Sequence, residues 1–136
     1  MPNSPVGFDL QYVVSPPDER CRVWIGIDVF RGDVQRFLVQ LQRRSAAERR
    51  TVVQIARIDH NPAGRDGHDL RTEGVHVDVV LRDGDEQTVY PPTNPGVQTD
   101  LGATIDQAKR YFRRHTGYFL RVHYGEIEPN DPPPWP

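Results

Sequence analysis

Lysine is almost missing. Of the 17 basic residues only Lys109 is a lysine, and the rest are arginines. Arginine presents a fixed fork to phosphate and carboxylate, where lysine offers a point charge. An arginine excess is also what a GC-rich genome produces, and the composition as a whole takes that plainer reading. Cysteine is scarce as well. The single Cys21 excludes an internal disulfide and suits a reducing compartment. It opens an apolar run, which marks it as buried filler rather than a nucleophile. No excess of positive charge exists, since the net charge is −2, so no global field draws the chain to nucleic acid or an anionic membrane. No apolar run approaches the length of a membrane span. Met1 to Pro5 leads into mixed polar and apolar residues, unlike a signal peptide. The expectation is a soluble cytoplasmic protein with no membrane partner.

Hydrophobic residues are also few, at 36% against 26% charged. The shortage lies in the Pro-rich, polar ends, and the middle reads as ordinary globular sequence. A chain of 136 residues fits one domain and can bury a core without metal or disulfide support. The organisation expected is a loose arm over 1–7, one domain over 8–125 and a disordered Pro-rich tail over 126–136.

Phe8 to Val14 is rich in β-formers and predicts a strand, which Ser15-Pro16-Pro17-Asp18 stops. Cys21 to Phe30 is the clearest strand, with Val23, Ile25, Ile27 and Val29 on one face at period two. Arg31-Gly32-Asp33 reads as a hairpin turn, and Val34 to Gln42 returns with Phe37, Val39 and Leu41 on one face. Arg43 to Arg50 is a charged connector, solvated or in contact with nucleic acid. Thr51 to Ile58 is a further strand that delivers Asp59 and His60 at its end. After a turn-rich loop, Val75, Val77, Val79 and Leu81 alternate, which puts His76 and Asp78 on the opposite face. Asp83 to Glu86 turns the chain, and Gln87 to Tyr90 supplies a short partner strand.

Pro91 to Val97 is a loop. Leu101, Ile105, Ala108 and Phe112 then recur at helical spacing. Either Asp100 or a Thr104–Gln107 box caps this helix. His115, Phe119 and Val122 keep the spacing, so the helix is expected to continue through Gly117 to about Tyr124. The fold class that results is α+β: an antiparallel sheet of about five strands with a C-terminal helix packed on one face.

The stretch from Arg57 to Asp78 holds three of the five histidines and four aspartates. His60, His68 and His76 are spaced eight apart. Flanking strands would bring Asp59, His60, His68, His76 and Asp78 together at one edge of the sheet. Three chemistries could use them. Imidazoles with Asp59 or Asp78 suit a divalent, zinc-like metal. A histidine near its ordinary pKa can move protons for a hydrolase or nuclease, with Arg57 or Arg71 as a phosphate clamp. The third is plain recognition of a polar ligand, a protein partner or RNA. The candidate catalytic set is His60, His68, His76 and Asp78, and the candidate binding set is Arg57, Asp59, Asp69 and Arg71. Against all three stands an architectural reading, in which Asp59, Asn61, Asp66 and Asp69 are turn formers bonding their own backbone.

Asp59-His60-Asn61-Pro62, Gly67-His68-Asp69 and Glu73-Gly74-Val75-His76-Val77-Asp78 form a pattern. It resembles that of a family of small, uncharacterised prokaryotic proteins of unknown function. That resemblance spans roughly Val52 to Tyr124 and implies no activity. Arg57, Asp59 and Asn61, followed by His68 and His76, are also similar to the Arg-x-Asp-Asn strand and His-rich segment of toxins from prokaryotic toxin–antitoxin pairs. Here His60 is interposed, which reverses the side-chain direction on a strand. That likeness implies an activity directed at nucleic acid.

Overall fold

The computed structural model of the chain describes residues 7–14, 18, 20–45, 51–64, 67–92 and 99–136. The sheet grows from the central hairpin, β2 (Cys21–Phe30) and β3 (Asp33–Arg44). Phe30 pairs with Asp33, which leaves only Arg31 and Gly32 as the loop, and both have positive φ, 52° and 84°. A two-residue loop of this hand matches the twist of the strands it joins. β1 (Leu10–Val14) lies along β2, β4 (Val52–His60) along β3, then β5 (Val77–Val80) and β6 (Glu86–Val89). Every neighbour is antiparallel and the spatial order is the chain order, so the sheet is a six-stranded meander. One short helix, α1 (Leu70–Glu73), interrupts the link from β4 to β5.

The core lies between one face of the sheet and the two C-terminal helices, α2 (Leu101–Arg114) and α3 (Thr116–His123). Val23, Ile25, Phe37, Val39, Leu41, Ala56 and Ile58 meet Ile105, Ala108, Phe112, Phe119 and Val122 there. Burial of such side chains stabilises by about 1.5–3 kcal/mol each. Val29 departs from the expected core face, being 45% exposed. A register shift between Asp28 and Val29 breaks the strand's alternation just before it.

The C-terminal helix is not continuous. It breaks at His115, which closes α2 and opens α3. The Thr116 hydroxyl donates to the Phe112 carbonyl at 2.7 Å. A side chain bonding back one turn competes with the backbone ladder and bends a helix. Gly117, the residue suspected of ending the helix, sits inside α3. Asp100 caps α2 by accepting from the Ala103 amide at 3.0 Å.

The Pro-rich end also differs from expectation. Trp135 is 5% exposed and packs on Tyr111, with ring centroids 5.1 Å apart. Its indole N–H donates to Gln107 Oε1 at 3.2 Å, and Tyr111 donates to the Pro133 carbonyl at 2.7 Å. One large aromatic with a donor of its own supplies enough buried surface to hold a segment that lacks periodicity. Residues 1–6 of the arm expected over 1–7, 15–17 of the strand stop expected over Ser15 to Asp18 and 46–50 of the connector expected over Arg43 to Arg50 lie outside the described residues, as do 65–66 of the His/Asp loop and 93–98 of the Pro91–Val97 loop.

Candidate functional site

The two faces of β4 separate the candidate residues. Ala56, Ile58 and His60 follow the period-two rule onto the helix-covered face, and Arg57 and Asp59 onto the other. His60 stands directly across from the core residue Phe37, and the rings stack at 5.9 Å. Its Nδ1 accepts from the buried Leu70 amide at 3.1 Å. Burial pushes the His60 pKa down, an effect that outweighs the upward pull of Asp69. His60 therefore fixes the start of α1 to the end of β4 and does not join the other two histidines. The expected gathering of Asp59, His60, His68, His76 and Asp78 loses His60 to the core.

The outer face assembles a different set. Asn61 and His68 form a bridge across the turn, with the Asn61 amide donating to the His68 carbonyl at 2.6 Å. This closes the loop and turns His68 back toward β5. Asp69 then caps α1 by accepting from Arg71 N at 2.9 Å, while Glu73 accepts from the Asp69 amide. That reciprocal cap holds the Glu73 carboxylate near the loop. Gly74, at φ 78°, reverses the chain into His76.

The result is a cluster of His68, Glu73 and His76, whose ligating atoms all lie within 4.8 Å of one another. His76 Nδ1 lies 3.2 Å from the Gly74 carbonyl, so that nitrogen carries the proton and Nε2 keeps its lone pair. His68 Nδ1 is buried and, among the described residues, has no hydrogen-bond partner; the nearest Glu73 oxygen is 3.7 Å away. The two imidazoles face each other at 6.0 Å, and the exposed Tyr90 ring lies 5.8 Å beyond His76.

Asp59 and Asp78 lie beside this cluster on the same face. Burial raises the Asp59 pKa, against the opposing pull of His68 and Arg57. Asp78 is committed: Thr88 donates to it at 2.6 Å and Arg57 lies 3.4 Å from its second oxygen. Arg57 also bonds Glu86 at 2.7 Å. Asp69 and Arg71 pair with each other at the cap, so neither is a free phosphate clamp.

Glu73 and Tyr90 were absent from the candidates read from sequence. For Glu73 the signal was available, because it stands between His68 and His76 at a spacing a short helix and turn can fold into one cluster. Tyr90 gave no comparable signal.

A family model described as a domain of unknown function, DUF7718, matches residues 9–127. The chain belongs to the DUF7718 family. No curated protein and no solved structure matches this DUF7718 domain. No described helix is long and apolar enough to cross a membrane.

Proposed function

We propose that this DUF7718 domain is a binding module that holds a divalent transition-metal ion on His68, Glu73 and His76. The observation that carries the reading is the convergence of two imidazoles and a carboxylate within 4.8 Å, one of the ring nitrogens buried and, among the described residues, without a partner. An unsatisfied buried nitrogen costs about 1–3 kcal/mol, and a metal bond would remove that cost. Two imidazoles with one carboxylate suit a zinc-like ion. A tetrahedral ion with bonds near 2.0–2.1 Å needs ligand atoms roughly 3.3 Å apart, so binding would draw the three side chains inward. The Gly74 carbonyl holds the outer nitrogen of His76, an arrangement that fixes a metal-binding ring. Titration of the metal-free protein with zinc, followed by calorimetry, should give one site per chain. His68→Ala should abolish it, and saturation unchanged by His68→Ala would overturn the assignment.

A second reading is favoured by the ligand count. Three protein ligands leave a coordination position open, the pattern of catalytic zinc sites, and Asp59 lies where it could act as a base. The resemblance to toxins directed at nucleic acid belongs to this reading. His60 takes no part in it. Expression in a host cell should then arrest growth, and His76→Ala should relieve the arrest without lowering the melting temperature to the growth temperature. Absence of arrest leaves the non-catalytic module.

A further inference from the structure

His68, Glu73 and His76 come from the loop, from α1 and from the residue just before β5, and the outer face of β4 lies beside them. β4 and β5 pair through Ala56 with Val79 and Arg57 with Asp78. Carried two residues further, the same antiparallel register sets Asp59 opposite His76. Side chains so opposed have Cβ atoms about 4.5–5.5 Å apart. On its other side Asp59 is followed by Asn61, which bridges to His68. Asp59 is then one diagonal step from His68 on the same face, a separation of about 7–8 Å that side chains can close. The carboxylate stands between the two imidazoles.

Its electrostatic surroundings agree with that placement. Burial raises the Asp59 pKa, and among the charges that act against this rise His68 leads, followed by Arg57 and then His76. A plainer role would be to balance Arg57. That guanidinium is directed elsewhere, to Glu86 at 2.7 Å and Asp78 at 3.4 Å. Asp78 also receives the Thr88 hydroxyl at 2.6 Å, so of the two outer-face aspartates it is the one tied to the sheet. Asp59 is the one turned to the imidazoles.

We propose that Asp59 is the fourth protein ligand of the ion held by His68, Glu73 and His76, and that it closes the coordination shell. This rests on the metal reading above. Charge balance supports it. Two neutral imidazoles and one carboxylate leave a divalent ion with a surplus positive charge beside the buried His76, and uncompensated charge away from water is costly. A second carboxylate neutralises the site. Four protein ligands are the pattern of structural zinc, whereas catalytic zinc keeps a position for water. The ion then ties β4, the loop, α1 and the start of β5 together. Asp59 as a ligand is no longer available as the base of a hydrolytic reaction.

Cobalt(II) in place of zinc reports the coordination through its visible absorption, and azide probes for an open position. The cobalt-loaded unmutated protein should give a four-coordinate spectrum that azide leaves unchanged. Asp59→Ala should weaken cobalt and zinc binding at least ~10-fold, the lower end of what loss of even an outer-shell partner costs, and should let azide shift the spectrum. Asp59→Asn, which keeps the side-chain shape, serves if the alanine variant does not fold. Asp78→Asn is the control for a lost charge nearby, and should change affinity less than ~3-fold, since a charge outside the shell acts only through space. An azide response in the unmutated protein, an Asp59→Ala affinity within ~3-fold of it, or an equal loss in Asp78→Asn would overturn the proposal. His68→Ala separates this failure from that of the metal reading. If His68→Ala abolishes binding while azide shifts the unmutated spectrum, the ion is bound and Asp59 stands outside its shell. Cobalt binding untouched by His68→Ala would remove the site and the fourth ligand together.

Discussion

His60 ends β4 and His76 stands just before β5, on strands that lie side by side, yet the two imidazoles meet opposite environments. His60 faces the helices, stacks on Phe37 and takes the Leu70 amide. His76 faces the other way, toward His68, Glu73 and Tyr90. Both are almost fully buried, so burial alone does not separate a structural histidine from a candidate ligand. What separates them is the partner of each nitrogen. Among the described residues, His60 bonds the core and the cap of α1, whereas His76 bonds one carbonyl and keeps its second nitrogen for the cluster.

The largest effect that could break this contrast is the loss of His60 itself. His60→Ala should destabilise the domain by about 2–4 kcal/mol, combining a cavity under Phe37 with an orphaned Leu70 amide. Thermal or urea unfolding measures this. A loss below about 1 kcal/mol would mean that His60 is not the structural member of the pair.

His68→Ala should behave oppositely. Its ring is a third exposed and, among the described residues, has an unsatisfied nitrogen. Stability should move by less than about 1 kcal/mol while zinc affinity falls by at least ~100-fold, roughly 2.7 kcal/mol at the site. Glu73→Gln sharpens the same point with a smaller effect. Glutamine can still cap α1, so the fold should hold within about 0.5 kcal/mol, and zinc binding should weaken roughly 10-fold. Equal losses of stability and affinity in either variant would place the cluster in the architecture rather than in binding.

Much of the fold could be read directly because its elements alternate or repeat cleanly. Val23, Ile25 and Ile27 show the β2 core face, Val75 to Val79 the inner side of β5, and Leu101 to Phe112 the α2 stripe. The site was legible only as a region. Which face His60 takes depends on the strand continuing two residues past Ile58, with Ile55 left over as a bulge between the Leu41–Ala56 and Gln42–Gln54 pairs. No periodicity in the Asp/His/Asn stretch announces that continuation. Glu73 was hidden because its role depends on a one-turn helix too short to leave a pattern. Proline content and the lack of periodicity make the tail look disordered from sequence, while the fold uses Trp135 as an anchor.

The smallest expected effect is a dependence of stability on pH, and its sign discriminates between the two faces. His60 and His123 both have pKa values lowered chiefly by burial on the helix side. Their unfolded forms bind protons near pH 6.5 while the folded forms stay neutral, so the unfolded state holds more protons below that pH. Stability is then fully present above about pH 6.5 and is lost as pH falls toward the folded values. The slope is bounded by about 1.4 kcal/mol per pH unit for each proton taken up. Asp59 on the outer face works the other way. Its raised pKa makes the folded carboxyl hold its proton to higher pH than the unfolded one, so its contribution grows as pH falls toward the ordinary carboxylate range. Urea midpoints should therefore decline between pH 6.5 and 5. His123→Gln should flatten that decline without moving zinc affinity at pH 7.5, because His123 bonds Val80 and Arg43 and not the cluster. Asp59→Asn should make stability fall more steeply as the pH enters the ordinary carboxylate range, since it removes an opposing contribution. If His68→Ala flattened it instead, the acid-sensitive proton would belong to the outer face, and the division of labour between the two faces would be lost.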